Sequence, residues 1–312
     1  VATLIQIESH SGEWWTIIGE GKGDRGVWLG QSVSGLWAVP LETIYNSTAY
    51  QDGADYGGKR IGSREISFDV EILKTKDEPW ERNWSDWMKA FRPDKDSKIW
   101  YETENSRRYL KVRLSTESQM SPKFDPDNRQ HVTLTMNLIA GDPWWYEEEA
   151  KSTFVTTTDT TAGGVEVGEI PIWNDTPVQM YPQWVFQGVA GIEWTLPDFS
   201  HGQEAEHDRD EGVDATRVIN MPPTIEGEHV YIDVDPLARE GQANSSLDTE
   251  YYMRMNGVRF IYPAPEYFTH PDGRMATEQD PIMLPIAVTG APIGAGVQLR
   301  MRRAWPTPMG MQ

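Results

Sequence analysis

Cysteine is absent from all 312 residues, which excludes disulfides, thiolate metal ligands and thiol nucleophiles and leaves the redox compartment open. A long apolar run is missing too. The longest uncharged stretch, Pro281 to Leu299, is broken by Pro285, Gly290, Pro292, Gly294 and Gly296, so no lipid-spanning helix is expected. The opening Val1-Ala2-Thr3-Leu4 shows no basic region followed by an apolar stretch, so no secretory signal is expected. Positive charge is scarce: 28 Lys and Arg stand against 48 Asp and Glu, a net −20 that opposes phosphate backbones and anionic lipid. Neither a basic nucleic-acid-binding face nor membrane attachment is expected. What the chain has in abundance is tryptophan, 14 residues, more than a core needs, which points to extensive sheet packing or protein contacts.

The length exceeds what one hydrophobic core usually fills, and the composition shifts near Ala150. Before that point lie 18 basic and 25 acidic residues, after it 10 and 23; tryptophans divide 10 to 4 and prolines 6 to 15. Lys151 is the sole lysine of the second half. The threonine- and glycine-rich stretch Lys151 to Gly168 reads as a linker between a domain over 1–150 and another over 169–312.

In the first half, Ile66, Phe68, Val70 and Ile72 alternate with Glu65, Ser67, Asp69 and Glu71, the pattern of a half-buried strand. Leu110 to Leu114 and Val132 to Leu138 alternate likewise, and shorter strands are expected at Leu4–Ile7, Trp14–Ile18, Val27–Leu29, Leu41–Tyr45 and Lys98–Glu102. One segment has a different period. Trp80, Trp84, Trp87, Met88 and Phe91 fall on one stripe of a helix over 80–91, begun by Pro79 and closed by Pro93. The first domain is therefore expected to be mostly antiparallel β, as an antiparallel β-sandwich or split barrel, with one covering helix. The second has no helical period; eight short strands, at Gln183–Phe186, Ile192–Leu196, Thr216–Asn220, His229–Val234, Tyr251–Met255, Val258–Tyr262, Ile282–Val288 and Val297–Arg302, indicate a β-sandwich. Asn256-Gly257 reads as its hairpin turn.

Motifs that could carry chemistry are few. Gly21-Lys22-Gly23-Asp24-Arg25-Gly26 has dinucleotide-binding spacing, but the strand-like Val27-Trp28-Leu29 follows instead of a helix, so a turn is expected. His201, Glu204, Glu206, His207, Asp208, Asp210, Glu211 and Asp214 form an acidic segment that fits no calcium loop; a solvated mobile loop is expected, with an opportunistic divalent site left open. His10, His131, His229 and His270 are scattered singly. Asp233 and Asp235 share a strand face, as a glycosidase pair would, yet such pairs arise by chance among 48 acids. Of the sequons at Asn46, Asn83, Asn174 and Asn244, one lies within the tryptophan helix, which argues against glycosylation. No catalytic residue, cofactor site or metal site is assigned.

The order of features resembles a known family. An opening strand, a long loop Tyr50 to Gly62 ending in Lys59-Arg60-Ile61-Gly62-Ser63-Arg64, the strand Glu65 to Ile72, the helix, then paired strands closing on Gly141-Asp142-Pro143-Trp144-Trp145-Tyr146 is similar to the amino-terminal, tail-tube-like domain of siphophage distal tail (Dit) proteins. The second half, with Glu228-His229-Val230-Tyr231-Ile232-Asp233, resembles their galectin-like sandwich, and the whole has the character of minor tail proteins of phages of actinobacteria. The resemblance implies a structural, non-enzymatic hub at the distal end of a virion tail. Six copies would form a ring, with the tail tube or tail terminal proteins, the tape-measure protein and the tail-associated baseplate protein as partners. Genomic DNA would only pass through, repelled by the ring's negative charge. Lys59, Arg60, Arg64, Arg107, Arg108, Lys111 and Arg113 are candidates to meet acids of a neighbouring copy. Two other readings stay open: a carbohydrate-binding module using Trp173, Trp184 or Trp194, and an acidic β-sandwich glycoside hydrolase using Asp233.

Overall fold

The computed structural model describes residues 3–120, 122, 124–238 and 242–311; Val1, Ala2 and the expected domain end at Gln312 lie outside them. The described residues are mainly β and divide into two compact units, 3–148 with 305–311 and 149–304.

In chain order the first unit contains β1 (Leu4–Glu8), β2 (Trp14–Ile18), β3 (Val27–Ser34), β4 (Leu41–Asn46), β5 (Asp55–Ile61), β6 (Arg64–Leu73), α1 (Trp80–Ala90), β7 (Ser97–Glu102), β8 (Arg107–Leu114), β9 (Gln119–Met120), α2 (Pro126–Arg129), β10 (His131–Ala140) and β11 (Trp145–Tyr146). Its main sheet runs β2-β1-β7-β8-β10-β6-β3. Register follows the alternation: Ile66, Phe68, Val70 and Ile72 lie opposite Leu138, Met136, Leu134 and Val132, and all eight are buried. α1 packs one face into this core through the buried Trp80 and Trp87, joined by the buried Phe91 just past its end, while Trp84 and Met88 pack against it half-buried. Trp87 lies edge-on to Trp15 and Phe91. Phe91 is already extended and Ser97 Oγ donates to the freed Ala90 carbonyl at 2.6 Å, which closes the helix before Pro93. The Gly21–Gly26 segment is a turn joining β2 to β3, with Gly21, Gly23 and Gly26 at positive φ.

The stretch expected as a loop from Tyr50 to Gly62 is a correction. It contains β5, which pairs with β4 in a separate hairpin.

The second unit contains β12 (Ala150–Val155), β13 (Glu166–Ile172), β14 (Gln183–Phe186), β15 (Glu193–Pro197), β16 (Val218–Asn220), β17 (Val230–Asp233), β18 (Ala243–Ser245), α3 (Tyr251–Arg254), β19 (Ile282–Thr289) and β20 (Gly296–Met301). Two antiparallel sheets, β12-β20-β14-β17-β18 and β13-β19-β15-β16, share one core. Trp184, Phe186, Ile232 and Leu299 face it from the first sheet, and Ile170, Trp194, Leu196 and Ile286 from the second.

Three expectations change here. The expected linker, Lys151 to Gly168, begins and ends in strands, and its threonines are pinned: Thr156 Oγ1 donates to Pro292 O at 2.6 Å and Thr160 Oγ1 to Ala291 O at 3.2 Å. Tyr251–Met255 and Val258–Tyr262 are not strands. α3 occupies the first, and in the second the N–H groups a ladder would use are taken by side chains: Phe260 donates to Gln242 Oε1 at 2.7 Å, Ile261 and Tyr262 to the Asp198 carboxylate. Asn256 and Gly257 do take the positive φ of the expected turn, but it follows a helix. Finally, the expected second domain stops at Ala304. A last strand, β21 (Ala304–Trp305), pairs with β11, and Trp305 is buried in the first unit's core.

Candidate assembly surface

The seven basic residues expected at a subunit contact fall into three groups. Lys59 and Arg60 lie exposed on β5 with no ion-pair partner among the described residues. Arg107, Lys111 and Arg113 lie on the outer face of β8; Arg107 pairs with Glu102 and Glu148 and lies 4.3 Å over the Trp100 ring, and Arg113 pairs with Asp96. Arg64 and Arg108 are a correction, because both are buried and hold the chain's own segments. Arg64 donates to Pro143 O at 3.0 Å, Gly35 O at 3.3 Å, Leu36 O at 2.7 Å and Pro306 O at 2.9 Å. Burial pulls it down to about 10, so it stays charged at neutral pH. Arg108 donates to Glu147 at 3.3 Å, Thr307 O at 3.1 Å and Gly310 O at 3.0 Å.

Lys59 and Arg60 belong to a strongly exposed part of the first unit, the β4–β5 hairpin. Residues 41–50 and 52–57 are all exposed, including Leu41, Ile44, Tyr45, Tyr50 and Tyr56. Tyr45 and Tyr56 face each other across the hairpin, rings 6.2 Å apart and nearly perpendicular. A two-stranded hairpin is marginal on its own in water, and clustered exposed aromatics mark surfaces that other chains cover. Sequence reasoning places a strand at Leu41–Tyr45 but misses β5, and with it the hairpin, because Gly53, Gly57, Gly58 and the acids around them read as loop; the usable signal was the aromatic pair Tyr45 and Tyr56.

Residues weighed for chemistry are tied up locally. Asp233 accepts from Gln183 Nε2 at 2.9 Å and from the Asp235 N–H at 3.1 Å, while Asp235 accepts from the Leu237 N–H at 2.8 Å. The acidic segment is anchored rather than freely solvated: Glu204 and Asp214 are buried, Glu204 accepting from the Gly212 N–H at 3.0 Å and Asp214 from Arg209 and the Tyr262 hydroxyl. Among the described residues no three His, Asp or Glu side chains converge as metal ligands. Trp173, Trp184 and Trp194, expected as sugar platforms in the carbohydrate-binding reading, are all buried in the second unit's core, a correction that removes the basis for that use. Asn83 and Asn174 of the sequons are buried as well; Asn83 Nδ2 donates to Leu73 O at 2.7 Å and Asn174 Nδ2 to Pro265 O at 2.7 Å.

The fold is similar to that of solved phage tail hub and baseplate proteins. It aligns with the SPP1 Dit protein (gp 19.1), described as a paradigm of hub adsorption apparatus in phages infecting Gram-positive bacteria, at TM-score 0.56 and 12% identity, over 96% of this chain and 98% of that one. A chain of the phage P2 baseplate in its activated conformation aligns at TM-score 0.50 and 10% identity, over 97% and 98%. In sequence, the chain is similar to minor tail protein Gp27 of Mycobacterium phage D29 and of Mycobacterium phage L5, each 27% identical over 351 aligned positions that cover 99% of both chains. No protein-family profile matches it. The chain thus resembles siphophage distal tail and minor tail proteins along its whole length.

Proposed function

We propose that this protein is a structural, non-enzymatic component of a siphophage tail tip, in which six copies close into a ring joining the tail tube to the tail-associated baseplate protein. Similarity to minor tail proteins and to a hub fold supports the tail. The ring rests on one observation, the β4–β5 hairpin. Its exposed Leu41, Ile44, Tyr45 and Tyr56 offer each copy an arm for its neighbour, and an arm received by a different surface gives a head-to-tail contact that closes by rotation. In a chain of net −20, Lys59 and Arg60, without an ion-pair partner among the described residues, supply the local positive charge such a contact needs against an acidic copy.

The test is the mass of the full chain by light scattering, with images of the particles, beside the triple variant Ile44→Asp, Tyr45→Ser, Tyr56→Ser. A six-fold ring that the variant abolishes, at an unchanged melting temperature, supports the reading. A chain that is monomeric at every concentration and absent from purified virions overturns it.

A further inference from the structure

The chain leaves the first unit after Glu148 and returns to it at Trp305. The returning segment, Trp305–Met311, is anchored by five contacts. Trp305 lies in the core with the Arg108 guanidinium 3.8 Å over its ring. Pro306 O accepts from Arg64, and Thr307 O and Gly310 O accept from Arg108. Met309 Sδ accepts from the Tyr101 hydroxyl at 3.6 Å. Arg64 is bound through backbone carbonyls, so the segment contributes one of its four acceptors; for Arg108 it contributes two carbonyls and the ring. Taking it away leaves two buried guanidiniums with donors unmatched and a tryptophan-sized gap, and each of these strongly destabilises a fold.

We infer that Trp305–Met311 is a closing strap, without which the first unit does not hold its native sheet. The first unit therefore finishes folding only after residues 149–304 have been made. At ordinary synthesis rates this delay is roughly 8 to 30 s. Resting on the ring reading above, the strap also delays the assembly-competent state until the second unit exists, so a chain interrupted within that unit does not enter a ring.

Hydrogen exchange read by mass spectrometry on the full chain carrying Trp305→Ala tests this, with the second unit as internal control. Exchange in Ile99–Glu102, Leu110–Val112 and Trp145–Tyr146 accelerates at least tenfold, while Trp184–Phe186, Leu284–Val288 and Val297–Met301 exchange as in the unaltered chain. Arg108→Met gives the same pattern to a smaller degree. Unchanged protection in the first unit, or equal loss in both units, overturns the proposal. Should Trp305→Ala be insoluble, native-state exchange of the unaltered chain in rising denaturant decides. Amides of the strap, β7 and β8 must open together with one denaturant dependence; a strap that frays alone while β7 and β8 stay closed overturns it. Light scattering of the unaltered chain reads assembly separately, so a failure to form rings removes the ring reading and leaves the exchange result standing.

Discussion

A Cβ added to Gly188 would lie 2.2 Å from the backbone nitrogen of Glu228, closer than any real Cβ contact. The two stretches are stitched here: Gly227 N donates to Gly188 O at 2.9 Å and Gly188 N to His229 Nδ1 at 3.3 Å. Because the obstacle is backbone, no side chain can swing aside. Gly188→Ala is expected to destabilise the second unit by about 3 kcal/mol. Gly141→Ala, where nothing lies within 4 Å of the new Cβ, is the control and should change stability by no more than about 1 kcal/mol. Urea denaturation of both variants decides; equal midpoints would show that the close approach does not matter.

Glu228 itself sets part of the pH response. Burial pushes its carboxyl up, but Arg254, the Thr249 hydroxyl and the Ile225 N–H at 3.0 Å together outweigh that and hold it below its ordinary 4.5. Arg209 and the Tyr262 hydroxyl hold Asp214 below its ordinary 3.8 against its own burial. A carboxyl lowered in the fold contributes stability that is present above its unfolded pKa and lost as pH falls through the folded value. Asp198, raised by burial, acts in the opposite sense. Glu228→Gln should therefore lower the melting temperature at pH 7 and lose less than the unaltered chain between pH 5 and pH 3. A parallel pH dependence in both proteins would exclude Glu228 as a source.

The paired strands β6 and β10 and the helix α1 were legible because one period governs each throughout its length and burial follows it. The buried arginines were legible in principle. Arg64 has the same parity as Ile66, Phe68, Val70 and Ile72, and Arg108 the same as Leu110 and Val112, so alternation alone puts both on the core face, while Arg107, Lys111 and Arg113 fall on the outer one. The stretch from Phe260 to Tyr262 was not legible, since its N–H groups are taken by Gln242 and Asp198, distant acceptors that no local pattern announces. The return of Trp305 to the first unit was likewise hidden, because a discontinuous unit leaves no mark on composition.

Trp184 and Trp194 share parity with Phe186 and Leu196, and each is 1% exposed. Trp184→Ala is accordingly a core deletion and should destabilise the second unit by about 3–5 kcal/mol. If any glycan binds the chain, its loss in this variant should track the loss of near-ultraviolet circular dichroism across a temperature series. Binding abolished while the fold stays intact would restore Trp184 as a sugar contact.

Asp198 replaces a missing strand. Its carboxylate accepts from the Ile261 N–H at 3.0 Å and the Tyr262 N–H at 3.1 Å, with Arg217 at 3.4 Å, and is itself buried. Asp198→Ala would leave the buried Tyr262 N–H and its neighbour without an acceptor, a loss of about 2–4 kcal/mol. Asp198→Asn keeps one acceptor oxygen and sheds a charge whose burial is unfavourable, so it should lose less than half as much. The comparison separates two explanations of the same residue. If hydrogen bonding to the 261–262 backbone dominates, asparagine rescues most of the alanine defect; if the Arg217 ion pair dominates, alanine and asparagine are equally damaging and Arg217→Met matches both. Melting temperatures of the three variants at pH 7 distinguish these outcomes, and the geometry favours the first, because the two N–H bonds are shorter than the arginine contact and one of them is wholly buried.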